Sequence, residues 1–101
     1  MVDGYLLNTR IFNEVDDSKG QALKPLEEAA EVFGAWQEFD SMRNGPFFSM
    51  SRDMRDCLID ECMDTVQAVA NLLAAVGATQ GDVDAAIERM DGRNEGRGRL
   101  R

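Results

Sequence analysis

The sequence predicts an all-α protein, a helical bundle whose core is completed by homo-oligomerisation. Apolar residues recur at helical spacing over two long stretches, no run of alternating β-branched residues is bounded by turns, and only 2 prolines interrupt 101 residues. The length fits one domain spanning residues 1–101, with 92–101 as a basic Gly/Arg tail. A chain this short buries only about two thirds of its unfolded surface, so association is expected to finish the core.

In order along the chain, Tyr5-Leu6-Leu7 and Ile11-Phe12 are spaced for one side of a short amphipathic helix ahead of the acidic Glu14, Asp16 and Asp17. The first long helix starts either at Ser18, which forms a capping-box pattern with Gln21, or at Pro25, a residue favoured at the first helical position. It carries Leu26, Val32, Phe33, Trp36 and Phe39 and stops near Asn44-Gly45-Pro46. The second opens near Ser49 or Ser51, either of which can cap it. It runs for about 27 residues, roughly 40 Å, through Met54, Leu58, Cys62, Val66, Val69, Leu72, Leu73 and Val76 to Gly77. The third follows Thr79-x-x-Asp82 with Val83, Ile87 and Met90. Arg93, Arg97, Arg99 and Arg101 then fall in a glycine-rich ending expected to close a site or to be disordered.

A net charge of -8 argues against nucleic acid and anionic membranes as partners and suits divalent cations. The absence of histidine removes imidazole bases, Ser-His and Cys-His nucleophiles and the usual Cys/His zinc sites. Cys57 and Cys62 lie about 140° apart on one helix and are poorly placed to bridge, so they read as small apolar residues of a reduced cytoplasmic protein. Asp3 stands where a signal peptide would be basic, and the longest uncharged run, Thr65 to Gly81, is too polar to span a bilayer. Phe33, Trp36 and Phe39 read as core, Phe47-Phe48 as a pocket or subunit contact, and the 6 methionines as gap fillers.

The informative acids are those inside an apolar arc. With Glu61 as origin, Met54 and Leu72 lie within about 20°, Leu58 and Val76 at about 60° and Val69 at about 80°. Asp64 falls about 60° to one side, with Asn71 in the same direction two turns on. With Glu28 as origin, Phe39 lies at about 20°, Val32 at about 40° and Trp36 at about 80°, and Glu31 follows three residues on. Two helices packed through these arcs bring Glu28, Glu31, Glu61 and Asp64 together, and ionised carboxylates sharing partly buried space need a positive partner. An all-oxygen donor set suits Mg²⁺ or Mn²⁺, and the twelve-residue EF-hand pattern is missing.

Glu27-Glu28-Ala29-Ala30-Glu31 followed by Glu61-Cys62-Met63-Asp64 resembles the EExxE...ExxD signature of the MazG-like, all-α nucleoside triphosphate pyrophosphohydrolases, over about residues 20 to 101. Lys24 ahead of the first motif, the apolar stretch Val66 to Gly77, and the ending Arg93-Asn94-Glu95-Gly96-Arg97-Gly98-Arg99 are similar to that family as well. The resemblance implies a dimeric or tetrameric bundle that binds Mg²⁺ and cleaves a (deoxy)nucleoside triphosphate to the monophosphate and pyrophosphate. It implies Glu28, Glu31, Glu61 and Asp64 as metal ligands and catalytic residues, with one of the glutamates, the extra Glu27 among the candidates, helping to orient or deprotonate water. It also implies Lys24, Arg93, Asn94 and Arg97 on the phosphates or sugar, while Asn71 is a further candidate substrate contact. Two alternatives share the acidic pairs: a phosphoribosyl-ATP pyrophosphohydrolase, and a noncatalytic helical module that dimerises and binds nucleotide or metal. A helical interaction protein with no ligand is a further one.

Overall fold

A computed structural model describes residues 2–101. The protein is all-α: α1 spans Lys19–Arg43, α2 spans Ser51–Ala75 and α3 spans Gln80–Gly96, with a short 3₁₀ turn, Phe48–Met50, leading into α2. There is no strand among the described residues. The 44–50 connection folds α2 back along α1 as an antiparallel hairpin, and this pair supplies the main helix-to-helix packing.

Residues 2–17 contain no helix, contrary to the amphipathic pattern around Tyr5 and Phe12. Their main chain is instead bonded to α2. The Phe12 N–H donates to Asn71 Oδ1 at 3.1 Å, and the Arg10 carbonyl accepts from Gln67 Nε2 at 2.7 Å. A helix would use those same groups internally, so the two arrangements exclude each other.

Between its two candidate starts, α1 takes Ser18. That residue is extended (φ -135°, ψ 162°), its Oγ accepts the Gln21 N–H at 3.2 Å, and its hydroxyl donates to Asp16 at 2.6 Å. Pro25 therefore lies inside the helix and deprives the Gln21 carbonyl of its usual donor. At the other end Asp40 gathers the chain, accepting from Arg43 Nε at 3.0 Å and from Asn44 Nδ2 at 3.1 Å, while Asn44 also bonds the Asp40 carbonyl.

Neither Ser49 nor Ser51 caps α2. The 3₁₀ turn runs straight into it, and Met50 is already in the helical region, so no residue is extended in the way a side-chain cap needs. The α2 end matches expectation: Gly77 takes φ 81°, its N–H bonds the Ala74 carbonyl at 3.0 Å, and the Ala78 N–H reaches the Leu73 carbonyl at 3.0 Å, a Schellman motif. α3 opens on a complete capping box between Thr79 and Asp82, whose hydrogen bonds hold the Asp82 carboxyl below its usual range. The basic ending is not a tail from residue 92. α3 continues through Gly92 to Gly96 and closes on a second Schellman motif at Gly98 (φ 66°), with the Arg99 N–H on the Asn94 carbonyl at 2.9 Å. One interior glycine costs a helix only about 1 kcal/mol, so Gly92 does not end it.

The expected interior is largely open in the single chain. Ala68 is the buried apolar residue among those described, whereas Phe33 is 60% exposed and Trp36 41%. Phe33 stacks on Trp36 with ring centres 6.2 Å apart, and Phe39 is half-buried beneath the Arg43 guanidinium at 4.8 Å. Within the single chain the face that Phe33 and Trp36 occupy meets no third helix: α3 leaves at the Gly77 turn without packing on α1 or α2. The radius of gyration, 16.4 Å, exceeds the ~13 Å of a closed domain of this length. Phe47 and Phe48 are also exposed, and both cysteines are free, Cys57 at the surface and Cys62 half-buried. No helix is long and apolar enough to cross a membrane.

Two glycines should respond to alanine in opposite directions. Gly77→Ala forces a Cβ into the left-handed region and is expected to lower stability in urea unfolding by about 1 kcal/mol. Gly34→Ala, inside α1 with nothing within 4 Å of the added carbon, should raise it by about 0.5–1 kcal/mol.

Candidate acidic site

Each long helix contributes carboxylates one turn apart, Glu28 and Glu31 from α1 and Glu61 and Asp64 from α2. The antiparallel hairpin sets these turns side by side. One carboxylate oxygen from each of Glu28, Glu31 and Glu61 lies within 4.8 Å of the other two. Asp64 stands just outside that trio: it shares a cleft with Glu28, and its charge is felt by both Glu28 and Glu61. Glu28 and Glu61 are half-buried, Glu31 and Asp64 exposed.

This crowding shows in the electrostatics. Partial burial, then the Glu31 carboxylate beside it, then Asp64, raise the Glu28 carboxyl above the usual carboxylate range, with Lys24 opposing. Burial, then Glu31, Asp64 and Glu28, raise Glu61 in the same way. Glu61 Oε2 is a buried carboxylate oxygen with no hydrogen-bond partner among the described residues. An orphaned carboxylate oxygen among other carboxylates is the arrangement a cation relieves. The donors are all hard oxygens without nitrogen or sulfur, and oxygens within 4.8 Å of one another can share one ion at about 2.0–2.6 Å. The residues fit Mg²⁺ or Mn²⁺.

Beside the trio lies a cleft of about 470 Å³ between α1, α2 and the N-terminal segment. α1 lines it with Gln21, Lys24, Glu27 and Glu28, α2 with Asp64, Gln67 and Asn71, and the N-terminal segment with Phe12. Lys24 Nζ and Glu27 form an ion pair at 3.2 Å, both more than half exposed, so Glu27 faces the cleft but stands apart from the trio. Asn71 is 3% exposed, and its Oδ1 accepts from the Phe12 N–H and from Gln67 Nε2 at 3.0 Å.

Of the residues expected from sequence, Glu27, Glu28, Asp64, Lys24 and Asn71 line this cleft, and Glu31 and Glu61 adjoin it through the trio. Arg93, Asn94 and Arg97 do not. They occupy the last turn and cap of α3, which rests on neither α1 nor α2, and none of them lines the cleft of the same chain. Phe12, Gly20, Gln21, Gln67 and Ala68 also line the cleft without being expected there from sequence. Phe12 sits in an extended segment with no helical register to locate it, and Gln67 carries no distinguishing pattern of its own. The chain matches no family model, no curated protein and no solved structure.

The repulsion makes a testable difference to stability. Because the folded-state pKa of Glu28 and Glu61 lies above the unfolded value, folding is penalised above that pKa, and the penalty lifts as pH falls through it toward about 4.3. Without divalent cations, Glu61→Gln should melt at a higher temperature than the parent at neutral pH. That advantage should shrink as pH is lowered into the carboxylate titration range, which melting curves across the range would reveal.

Proposed function

We propose that the chain is a Mg²⁺-dependent nucleoside triphosphate pyrophosphohydrolase of MazG-like type, acting on a (d)NTP to release the (d)NMP and pyrophosphate. The observation that carries this reading is the meeting of Glu28, Glu31 and Glu61 across two helices around the orphaned Glu61 Oε2, beside a cleft with a lysine on its wall. The similarity of Glu27-Glu28-x-x-Glu31 and Glu61-x-x-Asp64 to that family's signature supports it.

In this reading Glu28, Glu31, Glu61 and Asp64 hold the ion through their carboxylate oxygens. When bound, Mg²⁺ neutralises triphosphate charge and lowers the pKa of an attacking water. Lys24 exchanges its partner on binding: its ammonium turns from Glu27 to a phosphate oxygen, a charge-assisted contact. Glu27 is thereby released as a carboxylate at the cleft edge. Asn71, held by the Phe12 N–H and by Gln67, contacts the sugar or base. No covalent nucleophile is required, which suits a chain without histidine.

The reading includes a homodimer or homotetramer. The open apolar surface around Leu26, Phe33 and Trp36 on α1 and Ile59 and Met63 on α2 is what a second copy would cover. Arg93, Asn94 and Arg97, remote from the cleft of their own chain, would reach phosphates from a neighbouring copy. The noncatalytic module is the second reading, favoured by that same remoteness of the α3 arginines from the cleft.

The decisive measurement is pyrophosphate release from a panel of ribo- and deoxynucleoside triphosphates, with and without Mg²⁺. Metal-dependent release of pyrophosphate and monophosphate, abolished by Glu61→Gln, is expected. Release of inorganic phosphate would mean that a different bond is cut, and Mg²⁺ and nucleotide binding without turnover would establish the noncatalytic module. Sedimentation of the parent should give a mass of two or four chains, and Trp36→Glu should shift it toward one.

A further inference from the structure

The cleft has a second half, away from the carboxylates, whose chemistry is set by the N-terminal segment. Two main-chain groups determine how its amides are turned. The Phe12 N–H can only donate, so the Asn71 oxygen must face it, at 3.1 Å. The Arg10 carbonyl can only accept, so the Gln67 nitrogen must face it, at 2.7 Å, and that nitrogen also donates to Asn71 Oδ1 at 3.0 Å. Asn71 Nδ2 and Gln67 Oε1 are left over, and neither takes part in a hydrogen bond among the described residues. Asn71 is 3% exposed and lines the cleft, so the donor it does not use within the chain is available to a ligand that enters there. Phe12 is the aromatic residue of the cleft lining, and its main chain is tied to Asn71 itself.

An aromatic face next to one free donor and one free acceptor fits a planar heterocycle whose edge carries a neighbouring acceptor and donor. We propose that this half of the cleft binds the base of a nucleotide, with Phe12 stacked on the ring, Asn71 Nδ2 donating to it and Gln67 Oε1 accepting from it. The proposal deepens the nucleotide reading above and rests on it. It assigns the base-holding role to the N-terminal segment and α2, while the carboxylate trio and Lys24 serve the phosphates. All common bases present an adjacent donor and acceptor, so Phe12 supplies affinity for a ring over none, and the choice among bases lies in the register of Asn71 and Gln67.

The test compares nucleoside triphosphates with inorganic tripolyphosphate, which carries the phosphates without a ring, binding to the full chain in the presence of Mg²⁺. Phe12→Leu keeps the main-chain bond to Asn71 and removes the stacking face. Affinity for the nucleotides should fall about tenfold or more in this variant, tripolyphosphate affinity should not change, and Phe12→Trp should restore nucleotide affinity. Equal loss for both ligands would make Phe12 a structural support and overturn the proposal. Unchanged nucleotide affinity in Phe12→Leu would overturn it while leaving the nucleotide reading intact. Failure of the parent chain to bind any nucleotide, with an unchanged melting profile, would overturn both.

Discussion

Carboxylates meet where α1 runs against α2, and their mutual repulsion opposes the very packing that forms the hairpin. Glu28, Glu31 and Glu61 approach within 4.8 Å with no basic side chain among them, and the nearest lysine is engaged by Glu27. A helical pair selected for stability alone would carry leucine or alanine at such positions, since an unpaired, partly buried carboxylate weakens a fold. The geometry of the rest follows from this crossing: it sets where α2 stands against α1, which residues border the cleft, and which carboxyls titrate high.

The same hairpin leaves an unusual amount of apolar surface in water. Leu26, Phe33, Ile59 and Met63 are exposed on helices that have only one another to pack against, and α3 swings away at Gly77 instead of closing over them. Local signals account for that departure. Both α3 ends are strongly specified, by the Thr79 and Asp82 capping box and the Gly98 Schellman motif, while along its length Val83 and Ile87 only border an open groove with Leu73 of α2 and no close helix-to-helix packing forms. A helix can thus be well determined as a helix and remain undetermined in its partner. Under the proposed function a second copy supplies that partner, and with it the interior that a single chain of this length lacks.

The N-terminal segment is held by side-chain amides on α2 where a sheet or helix would use main-chain partners. Asn71 occupies a position where a helix of this kind would place an aliphatic residue, and its burial is tolerable because the Phe12 N–H and Gln67 satisfy its oxygen. One polar network therefore fixes the path of residues 10–12 and brings an aromatic ring to the cleft.

The amino-acid sequence determined the helical class, the two long helices and the carboxylate pairs, because each depends on periodicity within a single segment. It also determined the stop at Gly77 and the capping box at Thr79, which are interactions among residues a few positions apart. The tertiary structure decided what depends on separation: the extended course of residues 2–17, the exposure of Phe33 and Trp36, and the absence of Arg93, Asn94 and Arg97 from the cleft. The N-terminal segment shows the reason. A pattern of Leu7, Ile11 and Phe12 is compatible with a helix, and hydrogen bonds from residues 57 and 59 positions away claim its main chain first. Local propensity cannot see a competitor that only folding brings near.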